Sequence, residues 1–478
     1  MTDILDGDAT AQIFALTTKR LSAVEMLKIA LIRHEETHDR LNAVVAADPD
    51  RALEAARAID DLRMRGEPVG PLAGLPITVK DTFDVVGLPA SSGLAALRRR
   101  QAEDATAVSH ARRAGAVIWG KTNVPVLAGD WQTANGLYGV TNNPWDTART
   151  PGGSSGGAAA ALAARVTALE IGSDIGGSLR VPASFCGVFS HKPTWGLVSP
   201  YGHVPPRPGS RAERDLNVIG PMARSARDLR LMLSILENGP LAPKAPPADL
   251  KTLRVGLWLD EPLCPLDPEV RAVLEHLGQD LRVAGAEVEL IPSPVDMRAL
   301  LHAYQMLLGA VLSEDLPAAM LRQFKWMRPW AKFALGRDAG PLSTAAMVMA
   351  YTARHQEWMA ADAVRARLRH EIYAAFDRWD VIIAPIAPVP AFPHDPRPFR
   401  RRTLTLSDGR TVAYNSMLTW IALATALHLP ATAIPAGRTA AGLPVGAQII
   451  GPRAGDTRTL AVAQAIEEAI RGFVAPDF

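Results

Sequence analysis

The sequence predicts an α/β fold, a β-sheet covered by helices on both faces. Short apolar runs of strand length alternate with longer segments whose apolar residues recur every three or four positions. Two glycine-serine turns flank an alanine-rich helical run near the middle of the chain. No internal repeat or low-complexity linker divides the 478 residues into independent units. Strands and helices alternating in this way bury both faces of a sheet.

Taken in order, residues 9–17, 22–36 and 47–65 read as helices, so that the chain from 8 to 65 is helical. Residues 75–79 form a buried strand, with Gly-Pro punctuation on one side and Lys80-Asp81 on the other. A helix over 105–114 leads into a second short strand over 116–120. Residues 123–150 are a long irregular segment, and loops of that length tend to carry function. Residues 225–236 are helical, and 240–247 make a proline-rich crossing. Strands at 253–257 and 288–291 flank a helix in a β–α–β pattern. Residues 296–378 are mostly helical, and 380–384 and 432–435 are late strands.

Bulk properties narrow the function. With 51 basic and 49 acidic residues the formal charge is +2, and neither sign dominates. The basic runs Arg98-Arg99-Arg100 and 397–402 are short and read as solvated surface, so no nucleic-acid partner is expected. Two cysteines, Cys186 and Cys264, make no disulfide framework and fit a reducing compartment. The N-terminal MTDILDGDATAQ lacks a signal pattern, and no apolar run reaches the roughly 18 residues of a membrane helix. A cytoplasmic protein without a membrane partner is expected. The scattered histidines show no ligand spacing, so neither a metal nor a cofactor is expected.

The chemistry concentrates in residues 151–183, PGGSSGGAAAALAARVTALEIGSDIGGSLRVPA. Glycine lets another group approach the main chain closely. Two such turns that present serines suggest backbone N–H groups facing a reacting oxygen. Upstream, Gly74-Leu75-Pro76-Ile77-Thr78-Val79-Lys80-Asp81 sets a lysine at the end of an apolar strand.

These pieces resemble the amidase signature family, and the resemblance extends over most of the chain. It implies a single large mixed β-sheet, with N-terminal helices at 1–65, a signature core at 66–240 and the rest of the same domain at 241–478. The region 296–378 would lie on the substrate side. By residue-for-residue match, the nucleophile is Ser178 in Ile175-Gly176-Gly177-Ser178-Leu179-Arg180. The middle serine, on a cis peptide in relatives, is Ser154 in Gly152-Gly153-Ser154-Ser155-Gly156-Gly157, and the lysine is Lys80. The loop Ala128-Gly129-Asp130-Trp131 matches the segment that lines the acyl pocket.

The physical logic runs parallel. A serine hydroxyl is a poor nucleophile until a base takes its proton. Lysine is a base only when neutral, which at pH 7 costs roughly 4–5 kcal/mol from its reference value. Burial supplies such shifts, whereas Asp81 would oppose one if its carboxylate met Lys80. Ser154 then relays protons between Lys80 and Ser178. The N–H groups of Ile175, Gly176, Gly177 and Ser178 form an oxyanion hole, each donor worth about 3–4 kcal/mol. Ser155 and Ser173 hydrogen-bond within the site, Ser173 towards Lys80, and Asp174 pairs with Arg180 to fix the turn. Trp131, Tyr138 and Trp195 either wall an apolar pocket or pack in the core. The segment around Trp326, Met327 and Trp330 either lids the site or packs against the sheet.

The expected function is hydrolysis of carboxamides, extending to aryl amides, esters or carbamates, by a monomer or homodimer acting on a small-molecule substrate. The alternative is the glutamine-hydrolysing A subunit of a tRNA-dependent amidotransferase. That subunit carries an acidic residue where this chain has Tyr414-Asn415-Ser416-Met417-Leu418-Thr419, with no carboxylate. A catalytically dead binding protein is disfavoured because all three catalytic positions are filled. Three other readings fare worse. Neither turn ends in the Gly-Lys-Ser/Thr of a phosphate loop. Gly152-Gly153-Ser154-Ser155-Gly156 also fits the nucleophile elbow of α/β-hydrolases, with His191, His203, His355 or His428 as base, but a polar loop precedes it. Cys186 lies in an apolar run and reads as a small buried hydrophobe.

Overall fold

Pro76-Ile77-Thr78-Val79-Lys80 and Leu169-Glu170-Ile171-Gly172-Ser173-Asp174 lie side by side as parallel strands, buried at every position. Adjacent residues of a strand point to opposite faces, so burial throughout means that both faces are covered. The computed structural model describes residues 3–100, 102–205, 207–237, 247–314 and 316–477. In chain order the first strands are β1 Val44–Ala47, β2 Pro76–Lys80, β3 Val117–Thr122, β4 Ala134–Asn135, β5 Gly139–Val140, β6 Leu169–Asp174, β7 Phe189–Lys192 and β8 Val218–Ala223. Then come β9 Arg254–Leu257, β10 Glu287–Leu290, β11 Val381–Pro385, β12 Thr403–Thr405, β13 Thr411–Ala413, β14 Ala431–Arg438 and β15 Pro444–Ile450.

Eleven of these make one mixed sheet, ordered β1-β3-β2-β6-β8-β7-β14-β15-β11-β9-β10. β3, β2 and β6 run parallel, β6 through β15 to β11 pair antiparallel, and β11, β9 and β10 are parallel again. The expected β–α–β unit is β9, the helix Pro268–Val283 and β10, at one edge.

Local chemistry explains most element ends. Ser22 and Glu25 form a reciprocal capping box that starts the helix Ala23–Leu41, five residues longer at its end than the spacing predicts. It stops at Asn42 in the left-handed conformation. The helix expected at 47–65 begins at Pro49 behind the Asp48 cap, because Val44–Ala47 pairs with β3 as an edge strand instead. The alanine run forms the fully buried helix Gly156–Ala163, whose small side chains let it lie close to its neighbours. A Cβ on Gly157 would stand 2.4 Å from the Asn123 nitrogen.

The expected turn at 172–178 is shorter than predicted. Gly172, Ser173 and Asp174 continue β6, and the helix Arg180–Cys186 follows the turn. β7, β8, β15 and the helix Asp456–Ala469 have no counterpart in the sequence reading. The irregular segment 123–150 contains the small hairpin β4–β5. Residues 240–246 of the proline-rich crossing lie outside the described residues.

The helical region resolves into Met297–Ser313, Ala318–Gly336, Thr344–Tyr351 and His355–Arg378. Its middle pair buries a cluster of its own around Phe324, Ala331, Ala345 and Val348. Trp326 and Trp330 stand exposed on that pair, and Met327 packs within it. The packing of these three against the sheet, one of the two expectations, therefore gives way to a separate cluster. No helix among the described residues is long and apolar enough to cross a membrane.

Candidate active site

The parallel pairing of β2 with β6 brings the ends of both strands together, so Lys80 and Ser173 meet although 93 positions separate them. Lys80 is fully buried. Its Nζ lies 2.8 Å from Ser154 Oγ, 3.0 Å from Ser173 Oγ and 3.4 Å from the Ser173 carbonyl oxygen. Burial pushes its pKa down to about 7, against the pull of the Asp174 and Glu170 carboxyls. Glu170 is itself pushed up to about 8 by burial, which weakens its share of that pull. Asp81 turns elsewhere, bonding Ser91 and standing 3.6 Å from Lys121, so the feared opposition to the Lys80 shift comes from Asp174 instead.

Ser154 sits on a cis Gly153–Ser154 peptide just before the helix Gly156–Ala163. Only glycine fits at 153, because a Cβ there would come within 2.4 Å of the Asp130 carbonyl oxygen. Gly177, at φ +91°, makes the second close turn next to Ser178. Ser154 and Ser178 line one narrow cavity of about 50 Å³, together with Ala128, Gly129, Ser173 and Ile175.

The turn at Ser178 is held from four sides. The Asp174 carboxylate accepts the N–H of Gly177 at 2.9 Å and of Leu179 at 3.1 Å. Burial works against that charge, yet Arg180 holds the carboxyl below its usual range through a buried pair at 3.0 Å. Arg180 in turn donates to Thr425 Oγ1, Gln448 Oε1 and the Ile421 carbonyl. The expected Asp174–Arg180 pair is thus present. Tyr304 donates to the Ile175 carbonyl at 2.7 Å, and the Trp131 indole donates to the Gly176 carbonyl at 2.8 Å.

These bonds sort the expected oxyanion donors. In a planar trans peptide the N–H points opposite to the preceding C=O. The Tyr304 bond on Ile175 therefore fixes the Gly176 N–H. The Gly177 N–H is committed to Asp174, which removes it from the expected set. Ile175, Gly176 and Ser178 remain as the candidate donors.

Other expectations divide in the same way. Ala128 and Gly129 line the cavity, whereas Asp130 and Trp131 stand behind it. Asp130 pairs with Arg402 and accepts from the Tyr414 hydroxyl at 2.7 Å, and Trp131 packs on Phe399 and Tyr414. Trp195 stacks on His428, 4.7 Å between rings, and does not line the cavity. Tyr138 does not line it either, its carbonyl being held by Asn42. The Ser155 amide donates to the Ser178 carbonyl, but its buried hydroxyl has no hydrogen-bond partner among the described residues, contrary to expectation. Ser173 faces Lys80 as expected.

The histidines offered to the elbow reading go elsewhere. His191 bonds Thr432 and Asp456, His428 bonds Asp215, and His355 stands exposed at a helix start. His203 reaches Ser173, not Ser154. Cys186 is buried against the Pro151 carbonyl, and burial pushes its thiol up. Among the described residues no cluster of His, Cys, Asp or Glu is arranged to hold a metal ion. Tyr304 and Gln448 carry site geometry that the sequence does not mark, because each is an isolated residue in an ordinary apolar context.

Residues 25–460 match the family described as Amidase. The chain is 32% identical over 486 residues to the A subunit of glutamyl-tRNA(Gln) amidotransferase from Gloeobacter violaceus, covering 95% of this chain and 94% of that protein. A crystal structure described as an amidase superposes with a TM-score of 0.80 at 30% identity, over 97% of this chain and 99% of the other. A protein solved in a vestigial complex that bears on the origins of an s-triazine catabolic enzyme gives 0.79 at 28%, over 98% and 99%. A sheet of this order with this turn at its centre is the architecture of C–N hydrolases of one family. The chain belongs to that family, Amidase.

Proposed function

We propose that the chain hydrolyses small carboxamides through an acyl-enzyme on Ser178, with Ser154 as proton relay and Lys80 as base. One observation carries this reading. Lys80 is buried, its pKa is brought down to about 7, and it is 2.8 Å from a serine that shares a cavity with Ser178. A lysine so placed is a base near neutral pH without help from solvent.

Ser178 Oγ attacks the carbonyl carbon while its proton passes to Ser154 and the Ser154 proton passes to Lys80 Nζ. The carbonyl oxygen takes the negative charge and is met by the N–H groups of Gly176, Ile175 and Ser178. Collapse breaks the C–N bond, and the leaving amine takes a proton back from Lys80 through Ser154. Water then attacks the ester carbon while its proton passes through Ser154 to Lys80. Collapse expels Ser178 Oγ, which takes that proton back by the same path as the acid is released. Esters, aryl amides and carbamates present the same electrophilic carbon. Intact-mass detection of a fluorophosphonate adduct on Ser178, absent in Ser178→Ala, tests the nucleophile. Labelling on another serine, or none, overturns it.

A second reading is favoured by the full-length likeness to the A subunit of glutamyl-tRNA(Gln) amidotransferase. There the substrate is glutamine, and the ammonia released serves a heteromeric partner. The segment 414–419 offers no carboxylate for a glutamine amino group, and Asp130 nearby is already paired with Arg402. Glutamine hydrolysis faster than that of simple aliphatic and aryl amides, with copurification of a partner, would move the assignment to this reading.

A further inference from the structure

His203 is buried in the wall of the cavity, hydrogen-bonded to neither Ser154 nor Ser178 but to Ser173 next to them. Its Nδ1 is 2.7 Å from the Pro205 carbonyl oxygen and its Nε2 is 2.8 Å from Ser173 Oγ. Its ring stands edge-on to Phe83, centroids 5.0 Å apart. A carbonyl oxygen only accepts, so Nδ1 carries the ring proton. Burial above all holds the imidazole pKa down to about 3, so Nε2 is bare at neutral pH.

A bare Nε2 only accepts. Ser173 therefore points its hydroxyl proton at His203 and presents lone pairs alone to Lys80. The third polar contact of Lys80, the Ser173 carbonyl, also only accepts. Neutral Lys80 has two N–H donors and one lone pair. Its donors are taken by the two Ser173 oxygens, and its lone pair is left for the one remaining partner that has a proton to give, Ser154 Oγ.

We infer that His203 is a positioning residue that locks the direction of the proton relay: by holding the Ser173 proton, it forces the Lys80 lone pair onto Ser154. The inference rests on the proposed role of Lys80 as base. Without an acceptor at Nε2, the Ser173 hydroxyl turns its proton to the Lys80 lone pair and competes with Ser154 for the base.

The test is a double-mutant cycle on the rate of fluorophosphonate labelling of Ser178. His203→Phe keeps the ring against Phe83 and removes the acceptor. It should slow labelling roughly tenfold, the worth of one well-made hydrogen bond. In a Ser173→Ala background there is no competing proton, and His203→Phe should then cost less than about twofold. His203→Gln, whose amide oxygen reaches the Nε2 position, should recover most of the rate. If His203→Phe does not fold by thermal melting, His203→Asn, which keeps the Pro205 contact but falls short of Ser173, enters the same cycle. An equal loss with and without the Ser173 hydroxyl would mean that His203 only props the loop, and the inference falls. Failure of the wild-type chain to label at Ser178 sinks the function proposal instead, and the two failures are distinct.

Discussion

Lys80 and Lys192 form a natural pair. Each ends a strand of the same sheet, each is buried, and burial pushes each to about 7. They differ in what they touch. Lys80 meets the hydroxyls of Ser154 and Ser173. Lys192 donates to the carbonyls of Pro193 and Leu429 at 2.9 and 2.8 Å. A carbonyl oxygen has no proton to surrender, so neutral Lys192 has nothing to deprotonate. Low basicity follows chiefly from burial, helped at Lys192 by the Arg180 charge. The chemistry of the neighbours decides whether a buried amine becomes a tool or a tie between loops.

That contrast is open to attack, starting with the largest effect. Ser178→Ala should lower turnover by roughly 10⁴-fold or more, and Lys80→Ala by about as much, since members of one relay fail together. Steady-state hydrolysis of an amide panel measures both, and a Lys80→Ala enzyme within tenfold of wild type would erase the distinction between the lysines.

Next comes pH. As the proposed base Lys80 would work only unprotonated, so the acylation rate should fall about tenfold per pH unit below its value near 7. A rate flat from pH 5 to 8 argues against an amine base. The stability term has its own sign. Both lysines titrate lower folded than unfolded, where the value is about 10.4. Their contribution is complete above that value and is lost as pH falls towards 7. Denaturant midpoints should therefore rise from pH 7 to 10, and Lys192→Met should flatten that rise without moving the rate profile.

Smaller again is Trp131→Phe, which keeps the packing on Tyr414 and Phe399 but drops the donor to the Gly176 carbonyl. A loss of roughly fivefold in kcat is expected from one hydrogen bond, with KM little changed. The smallest effect on activity belongs to Lys192→Met. It should keep hydrolysis within about threefold, while two carbonyls left without a donor cost about 1–3 kcal/mol in denaturant unfolding. A collapse of activity in this variant at unchanged fold would give Lys192 a part in the chemistry.

Much of the arrangement was legible in the order of residues. The strand before Lys80, the alanine helix and the two serine turns are local patterns, and the structure brings the two turns to one cavity with Lys80 against Ser154. What was not legible depends on distant pairing. The short strand Val44–Ala47 is called into being by β3, and its alanines alone favour a helix. The sequence puts Gly177 among the oxyanion donors because a glycine turn exposes its amides. The claim on that amide comes from an Asp174 carboxylate whose direction only the folded turn reveals. Trp131, which type and position leave open between a pocket wall and the core, turns its indole proton to a backbone carbonyl, a distinction of orientation that a letter string does not encode. His203 reads as a rival base, and its real neighbour, Ser173, lies 30 positions away on β6.

The guanidinium of Arg180 reaches Gln448 on the last strand to be synthesised. A growing polypeptide still short of that strand leaves the cation that steadies the turn at Ser178 without one of its anchors. On the proposed function, a chain cut before residue 448 would carry Lys80, Ser154 and Ser178 yet lack one clasp of the turn that sets them in place.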